Sequence, residues 1–216
     1  MQVKKLGLFI SLTFAATALY CAEDPKEKAL LLYAVNGDFP AVREILKEKI
    51  DVNTPSLRTT PLNAIVQLQA DVALGRSPLK REMAESLTET HLLLVSLFLK
   101  NKANLNKCTG FQQYAPLHNA ILIPDRRFFD LLMRENADSN VQDKDGNTPL
   151  HRLFLVRKDK TSVADVNLLL FHNANPLLRN KAGQSVLDLA QQYNASPEVI
   201  QVIVEYETKQ RLPEGK

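Results

Sequence analysis

The sequence predicts an all-α solenoid of about five helix–turn–helix units that are joined by short β-turn connections. Two four-residue markers recur in step along the chain, and the apolar residues between them follow helical spacing. The composition agrees, because only 7 glycines and no tryptophan among 216 residues disfavour a β-sandwich or a glycine-rich phosphate-binding fold. A hydrophobic share of 45% is enough for a buried core.

Residues 1–22 have the layout of a secretory signal peptide, in which two lysines precede an apolar stretch that charged residues follow at once. We expect cleavage between Leu19 and Glu23, and an exported chain that is periplasmic or secreted and has no membrane span after signal removal. Two alternatives stay open. The 17 apolar residues from Leu6 could remain as an anchor, since they reach the lower limit of a bilayer span, and Cys21 could be the acylated residue of a lipoprotein.

The first marker is a tetrapeptide of the type Thr-Pro-Leu-His, and its four versions begin at intervals of 55, 33 and 37 residues. A second marker, rich in asparagine and aspartate, follows at intervals of 53, 34 and 37 residues. Two independent markers in step indicate a structural repeat. The first-marker segments are Thr60–Asn63, Ala115–His118, Thr148–His151 and Ser185–Asp188, and the second-marker segments are Ile50–Asn53, Ala103–Asn106, Ala137–Asn140 and Ala174–Leu177.

Each first marker is predicted to open a helix. Proline at the first helical position costs no hydrogen bond, because that N–H has no partner within the helix, and the residue before it can cap the turn. Apolar residues then recur at helical spacing, as in Phe128, Leu131 and Leu132, before a polar turn begins. Each unit is therefore interpreted as two helices and an exit loop.

These features resemble the ankyrin repeat, a unit of about 33 residues made of a β-turn and two helices. Residues 143–151 match the opening of that repeat almost residue for residue, and the N-terminal signal makes the chain similar to bacterial ankyrin proteins. The resemblance implies an ankyrin-repeat domain at 23–207, followed by a polar C-terminal tail at 208–216. Its units would be about 27–54, 55–107, 108–141, 142–178 and 179–207.

The sequence departs from the resembled pattern at the end of the second helix, where a glycine with positive φ is usual. Lys49, Lys102, Asn136 and Asn173 stand at that position. Asparagine tolerates positive φ, whereas each lysine should cost on the order of 1 kcal/mol.

The second unit is longer than the others. From Thr60 to Asn106 it has 46 residues, where the corresponding stretch of the next unit has 25. Leu79, Met83 and Leu87 recur every four residues in the excess, which predicts a lengthened helical hairpin. We expect it at the edge opposite the β-turns, where neighbouring units do not need it.

Two histidines, His118 and His151, are candidates for chemistry, but the resemblance implies that the histidine of this motif hydrogen-bonds backbone and ties neighbouring units together. No metal-ligand spacing, phosphate loop or dinucleotide fingerprint is present, so we expect no metal, no cofactor and no enzyme activity. The other residues assigned to the structural motif are Thr60, Pro61, Pro116, Thr148 and Pro149.

A solenoid offers its concave side, formed by β-turn tips and first helices, as a binding surface. The resemblance implies non-catalytic binding of a protein partner, whose identity stays unknown. Because 27 basic and 24 acidic residues nearly balance, we expect no nucleic-acid binding, and we expect a monomer. The tip residues predicted to contact the partner are Leu57, Arg58, Thr59, Phe111, Gln112, Tyr114, Lys144, Asp145, Asn147, Lys181 and Gln184.

Two other classes of function stay open. A secreted effector acting on a host-cell protein would share this fold and differ in where the mature chain is found. An enzyme built on the solenoid would need a pocket that gathers His91, His118 and acidic residues with shifted pKa values.

Overall fold

The computed structural model describes residues 24–77 and 81–211. The expected signal peptide, its cleavage site and Cys21 lie outside the described residues. The chain divides into two compact units at the bond between Phe111 and Gln112, which falls inside the third predicted repeat.

The first unit contains four α-helices in two consecutive pairs, α1 (Pro25–Val35) with α2 (Phe39–Leu46) and α3 (Pro61–Ala73) with α4 (Arg81–Lys100). Helix α1 packs against α3, and α2 packs against α4, so that first helices are neighbours and second helices are neighbours. This layering is the arrangement of a helical repeat stack.

The second unit contains three more pairs, which are α5 (Pro116–Ala120) with α6 (Arg127–Arg134), α7 (Pro149–Arg157) with α8 (Val163–Phe171), and α9 (Val186–Gln192) with α10 (Pro197–Arg211). Helices α5, α7 and α9 pack in series, and α8 packs against α10. A 3₁₀ turn, Lys158–Lys160, connects α7 and α8.

The described residues thus form ten α-helices in five pairs and no strand, which confirms the predicted fold class. Their one isolated β-bridge joins Ser56 and Thr59. Helix α10 continues to Arg211, four residues into the segment expected to be a polar tail. No helix within 24–77 and 81–211 is long and apolar enough to cross a membrane.

Each first marker opens a helix at the predicted residue. Proline at the first position, a capping hydroxyl before it, or both favour a helix start in each marker. The first helical residues are Pro61, Pro116, Pro149 and Val186. The hydroxyl oxygens of Thr60, Thr148 and Ser185 accept hydrogen bonds from the backbone N–H three residues later, at 3.4, 3.4 and 3.2 Å.

The second helices end at the left-handed residues that the sequence indicated, and Asn194 ends the first helix of the last pair in the same way. A C-terminal left-handed residue lets the chain leave the helix while its N–H satisfies a free carbonyl. The φ values are 57° at Lys49, 62° at Lys102, 61° at Asn136, 63° at Asn173 and 53° at Asn194.

The core of each unit lies between its two layers of helices. In the first unit Leu31, Val35 and Ala64 are buried together. In the second unit three phenylalanines, Phe128, Phe129 and Phe154, are fully buried and supply the largest apolar side chains. Burial of a phenylalanine contributes roughly 1.5–3 kcal/mol.

The lengthened hairpin, formed by α3 and α4, is confirmed, but it packs against the first repeat and is not a separate edge feature. Leu87 contacts the core cluster of α1 and α3. Gly37 has a φ of 71°, and a Cβ there would lie 2.9 Å from the Leu87 side chain, so glycine permits this approach. The expectation that neighbouring units do not need the hairpin is therefore wrong, because the first repeat packs against it.

His91 fixes the same hairpin from within. Its Nε2 donates to the carbonyl oxygen of Val35 at 3.1 Å, and its Nδ1 accepts from the Gln69 amide at 2.8 Å. His91 and Gln69 are both buried, so this polar chain joins α1, α3 and α4 inside the first unit.

We expect Lys49→Gly and Lys102→Gly each to stabilise the protein by about 1 kcal/mol, because glycine adopts positive φ without the steric cost that lysine bears. Chemical denaturation measures the free energy of unfolding. Lys28→Gly is the control, since Lys28 lies inside α1 and glycine there should cost about 1 kcal/mol. A loss of stability in the first two variants would contradict the assignment of strain.

Candidate functional site

The exit loops of successive repeats are joined by asparagine side chains. Asn53 donates from Nδ2 to the Lys102 carbonyl at 3.0 Å and accepts from the Asn104 N–H at 2.5 Å. Asn140 repeats this pair of bonds one unit later, with the Asn173 carbonyl at 3.0 Å and the Asn175 N–H at 2.7 Å. These asparagines of the second marker therefore serve to join neighbouring repeats.

The motif histidines bind backbone of the next repeat, as the resemblance implied. His118 Nε2 lies 2.9 Å from the Asn147 carbonyl, and His151 Nε2 lies 3.1 Å from the Gln184 carbonyl. The other ring nitrogen of His118 accepts from the Ala115 N–H at 3.2 Å. Both imidazoles are buried, and this tautomer, protonated on Nε2, satisfies both ring nitrogens.

Asn63 takes the place of the motif histidine in the second repeat. Its Nδ2 donates to the Lys107 carbonyl at 2.9 Å and to the Thr109 hydroxyl at 2.5 Å. An amide with two donors therefore performs the same link to the next β-turn that an imidazole N–H performs elsewhere.

Burial lowers the pKa of these histidines, because a charged imidazole loses its hydration in the core. The pKa of His118 falls to about 4, since burial outweighs its hydrogen bond to Asn147 and the nearby Asp143, while Arg152 lowers it further. The pKa of His91 also falls to about 4, and that of His151 is lowered for the same reason. All three imidazoles are neutral at pH 7.

One backbone hydrogen bond links each β-turn tip to the next within a unit. In the first unit the Gly110 N–H donates to Arg58 at 2.8 Å. In the second unit Lys144 donates to Gln112 at 3.1 Å, and Lys181 donates to Asp145 at 2.9 Å. Such bonds set the spacing at which the tips present their side chains.

The contact between Lys181 and Asp145 requires a glycine at position 146. Its φ is 78°, and a Cβ on it would lie 2.9 Å from the backbone nitrogen of Lys181. A backbone atom cannot move aside as a flexible side chain can. Any larger residue at position 146 would therefore push apart the tips that carry Asp145 and Lys181.

The tip in the first unit is a tight two-residue hairpin with unusual residues. Ser56 and Thr59 exchange backbone hydrogen bonds of 2.9 and 3.0 Å around Leu57 and Arg58, whose φ values are 50° and 66°. A turn of this kind favours asparagine and glycine. Left-handed geometry costs leucine and arginine roughly 1–2 kcal/mol each.

The two residues of this turn go to different environments. Leu57 packs partly buried against the core cluster, whereas Arg58 is exposed and stacks on Phe111, with its guanidinium carbon 4.6 Å from the ring centroid. Phe111 itself is 74% exposed. An arginine and an aromatic ring are thus held together at the surface.

Tyr114, in the second unit, has a structural position. It is half-buried, and the guanidinium carbon of Arg152 lies 3.6 Å from its ring centroid. Arg152 is buried and also donates to the His118 carbonyl and to Asn119 Oδ1, each at 3.0 Å. The ring therefore covers a buried cation that joins α5 and α7.

The structure separates the predicted partner-binding residues into two groups. Asn147 is only 6% exposed and holds both Asp143 and Asn180, so it is not a surface residue as predicted. Leu57, Thr59, Tyr114 and Gln184 are partly buried within the tips. The exposed residues of the predicted set are Arg58, Phe111, Gln112, Lys144, Asp145 and Lys181.

Sequence reasoning missed two charged contacts in the second unit, Arg152 on Tyr114 and the buried carboxylate of Asp165. Asp165 pairs with Arg157 at 2.6 Å and with Arg126, and so joins α7, α8 and the start of α6. A signal for these contacts was present in the sequence: within Pro149–Arg157, arginines stand at positions that helical spacing places towards the core.

Chemically active clusters are not found among the residues that the structure describes. No group of three His, Cys, Asp or Glu side chains in 24–77 and 81–211 could hold a metal ion. His91 lies in the first unit and His118 in the second, and each is bonded to backbone of its own unit.

Comparison with known proteins agrees with this geometry. The ankyrin repeat family matches residues 145–181. A fowlpox virus (strain NVSL) protein described as an ankyrin repeat protein is 27% identical over 183 residues, which are 82% of this chain and 47% of the relative. The chain thus spans about half the length of this curated relative. Residues 145–181 thus match an ankyrin repeat, and the helix pairs of the described residues are consistent with a stack of such repeats.

We expect the free energy of unfolding to fall as the pH drops from about 6.5 towards 4. In this range the histidines of the unfolded state bind protons, whereas the buried histidines of the folded state stay neutral. A pKa near 4 for His118 and His91 corresponds to a loss of about 2 kcal/mol for each between pH 7.5 and pH 5. Urea denaturation at the two pH values measures the loss, and His118→Asn should reduce the difference. An equal free energy of unfolding at both pH values would show that these imidazoles ionise freely.

Proposed function

We propose that this protein is a non-catalytic scaffold that binds a protein partner through the exposed tips of its β-turns. Ankyrin repeats generally mediate protein–protein interaction, and the tips carry exposed side chains such as Arg58, Phe111 and Lys144. The proposal concerns the face and the kind of partner, and the partner's identity is left to experiment.

The observation that carries the proposal is the exposure of Phe111. Its ring is 74% exposed. Two backbone hydrogen bonds between Ser56 and Thr59, one from Gly110 to Arg58, and the stack of the Arg58 side chain on the ring hold it in place. Aromatic and arginine side chains are enriched among residues that contribute most to protein interfaces. A rigid, exposed aromatic residue is therefore a suitable interface anchor.

The environment of the histidines also supports a non-catalytic role. A general base must reach its substrate and titrate near the working pH. His91, His118 and His151 are buried, donate to backbone carbonyls and have lowered pKa values. Their hydrogen bonds account for both ring nitrogens, so a structural role explains them fully.

We further propose that the scaffold is exported. Support comes from the sequence of residues 1–22, where Lys4 and Lys5 precede an apolar stretch of the length that signal peptides use. A secreted effector remains the alternative within this proposal, and it is distinguished by whether the mature chain is recovered from the cell envelope or from the medium.

The test of partner binding is site-specific photocrosslinking. A photoreactive phenylalanine analogue replaces Phe111 in one sample and Phe171, which is 82% exposed on α8, in the other. We expect a defined crosslinked protein from position 111 and none from position 171, because only the first lies on a tip. Equal products from both positions, or none from position 111, would overturn the proposed face.

The two aromatic tip residues should respond differently to truncation. Phe111→Ala should leave the free energy of unfolding within about 0.5 kcal/mol of the parent, since the ring is exposed. It should also reduce crosslinking to the partner from a photoreactive residue placed at Gln112, because the interface loses its anchor. Tyr114→Ala should destabilise the protein by roughly 1–2 kcal/mol, because Arg152 loses the ring that covers it. Phe171→Ala is the matched control and should change neither quantity.

Export has its own prediction. Intact-mass spectrometry of the protein recovered outside the cytoplasm should show an N-terminus between Leu19 and Glu23. Recovery of a chain that retains Lys4 would identify an uncleaved anchor, and a lipid-modified mass at Cys21 would identify a lipoprotein.

A further inference from the structure

We propose that Arg58, held against the ring of Phe111, binds a carboxylate of an acidic segment in the protein partner. This inference rests on the proposed function and deepens it by naming the chemistry of the partner. The site consists of the Arg58 guanidinium, the exposed face and edge of Phe111, and the hairpin of residues 56–59 that carries the arginine.

The stack prepares the guanidinium for binding. Its carbon lies 4.6 Å from the Phe111 centroid, and both side chains are exposed. Stacking restricts a flexible side chain and leaves the edge of the planar group, with its N–H donors, open to a ligand. A preorganised side chain loses less conformational entropy on binding.

The donors of Arg58 are not used by the fold. Within 24–77 and 81–211 its guanidinium makes no hydrogen bond and no ion pair, and its contact is the ring of Phe111. By contrast Arg157 binds Asp165 and Arg179 binds Asp188. An arginine fork with free donors matches a carboxylate through two parallel hydrogen bonds.

The backbone supports the same conclusion independently. Arg58 has a φ of 66° in a turn that glycine or asparagine would adopt without strain. Leu57, its neighbour in the turn, is compensated because its side chain packs on the core cluster. The Arg58 side chain does not reach the core and stacks instead on the exposed ring of Phe111, and backbone strain clusters at functional sites.

An acidic protein segment fits this site better than a nucleic acid does. Binding to nucleic acid rests on several phosphate contacts from a basic surface, whereas this chain has 27 basic and 24 acidic residues. A single stacked arginine beside an exposed phenyl ring suits one carboxylate with an apolar neighbour. The partner segment should therefore carry Asp or Glu next to an apolar side chain.

The test uses a phage library of random 12-residue peptides selected on the full chain. We expect the selected peptides to be enriched in Asp or Glu beside an apolar residue. Fluorescence anisotropy then measures the affinity of the tightest peptide, and Arg58→Gln should weaken binding about 10- to 100-fold. Arg58→Lys keeps the charge but loses the planar guanidinium, so its affinity should lie between those of the parent and Arg58→Gln. The control Arg43→Gln, at an exposed position of α2, should bind the peptide as tightly as the parent.

A second variant separates binding from folding. Arg58→Gly removes both the guanidinium and the strain at positive φ, so we expect it to melt at a higher temperature than the parent and to bind the peptide as weakly as Arg58→Gln. A variant that melted lower and lost binding would assign Arg58 to the fold and overturn the inference. Replacing the peptide's carboxylate with an amide should abolish the difference between the parent and Arg58→Gln.

Three other outcomes would also overturn the inference. Selected peptides could lack acidic residues and depend on Phe111 alone, which would leave the proposed scaffold function intact. A single-stranded DNA of 12 nucleotides could bind more tightly than any peptide and displace it, which would indicate a nucleic-acid site. If no peptide is selected, the acidic site fails, and photocrosslinking from position 111 still decides the wider function.

Discussion

The structure of each unit depends on one interaction, a hydrogen bond from a side chain at the start of a first helix to the backbone of the following β-turn. His118 and His151 make this bond with a ring nitrogen, and Asn63 makes it with an amide. A helical pair cannot bury its apolar face alone, so it needs its neighbour in a fixed position. These bonds fix that position, because a buried carbonyl left without a donor would cost roughly 1–3 kcal/mol.

The same constraint decides which side chains are free to bind a partner. A residue whose backbone or side chain completes the link belongs to the fold, as Asn147 does with its carbonyl on His118 and its amide on Asp143. The side chains of Arg58 and Phe111 complete no such link, and the turn that carries them retains steric strain. At that turn, the backbone strain lowers stability but allows exposed side chains to face a partner, a trade-off that is usual at binding sites.

Much of the fold could be predicted because its signals are local. Helix starts follow from proline or a capping hydroxyl, and left-handed helix ends were expected at Lys49 and Asn136 because the resembled repeat has a glycine at that position. The exposure of individual tip residues could not be predicted, since it depends on long-range contacts such as Arg152 on Tyr114, which lie 38 positions apart in sequence. Register placed Leu57 and Arg58 together on a tip, but only three-dimensional packing sends one inward and the other outward.

Acid should affect the buried histidines differently, and the difference follows from their partners. His118 Nδ1 faces the backbone N–H of Ala115, a donor that cannot reverse, so a proton on Nδ1 would place two donors against each other. His91 Nδ1 faces the Gln69 amide, which can rotate by half a turn and offer its oxygen to a protonated ring. Burial opposes the charge at both positions, but only His118 also loses a hydrogen bond that no rotation can restore. Both imidazoles have a pKa of about 4 and so gain charge over the same pH range, but only the charged His91 can keep a hydrogen bond at Nδ1.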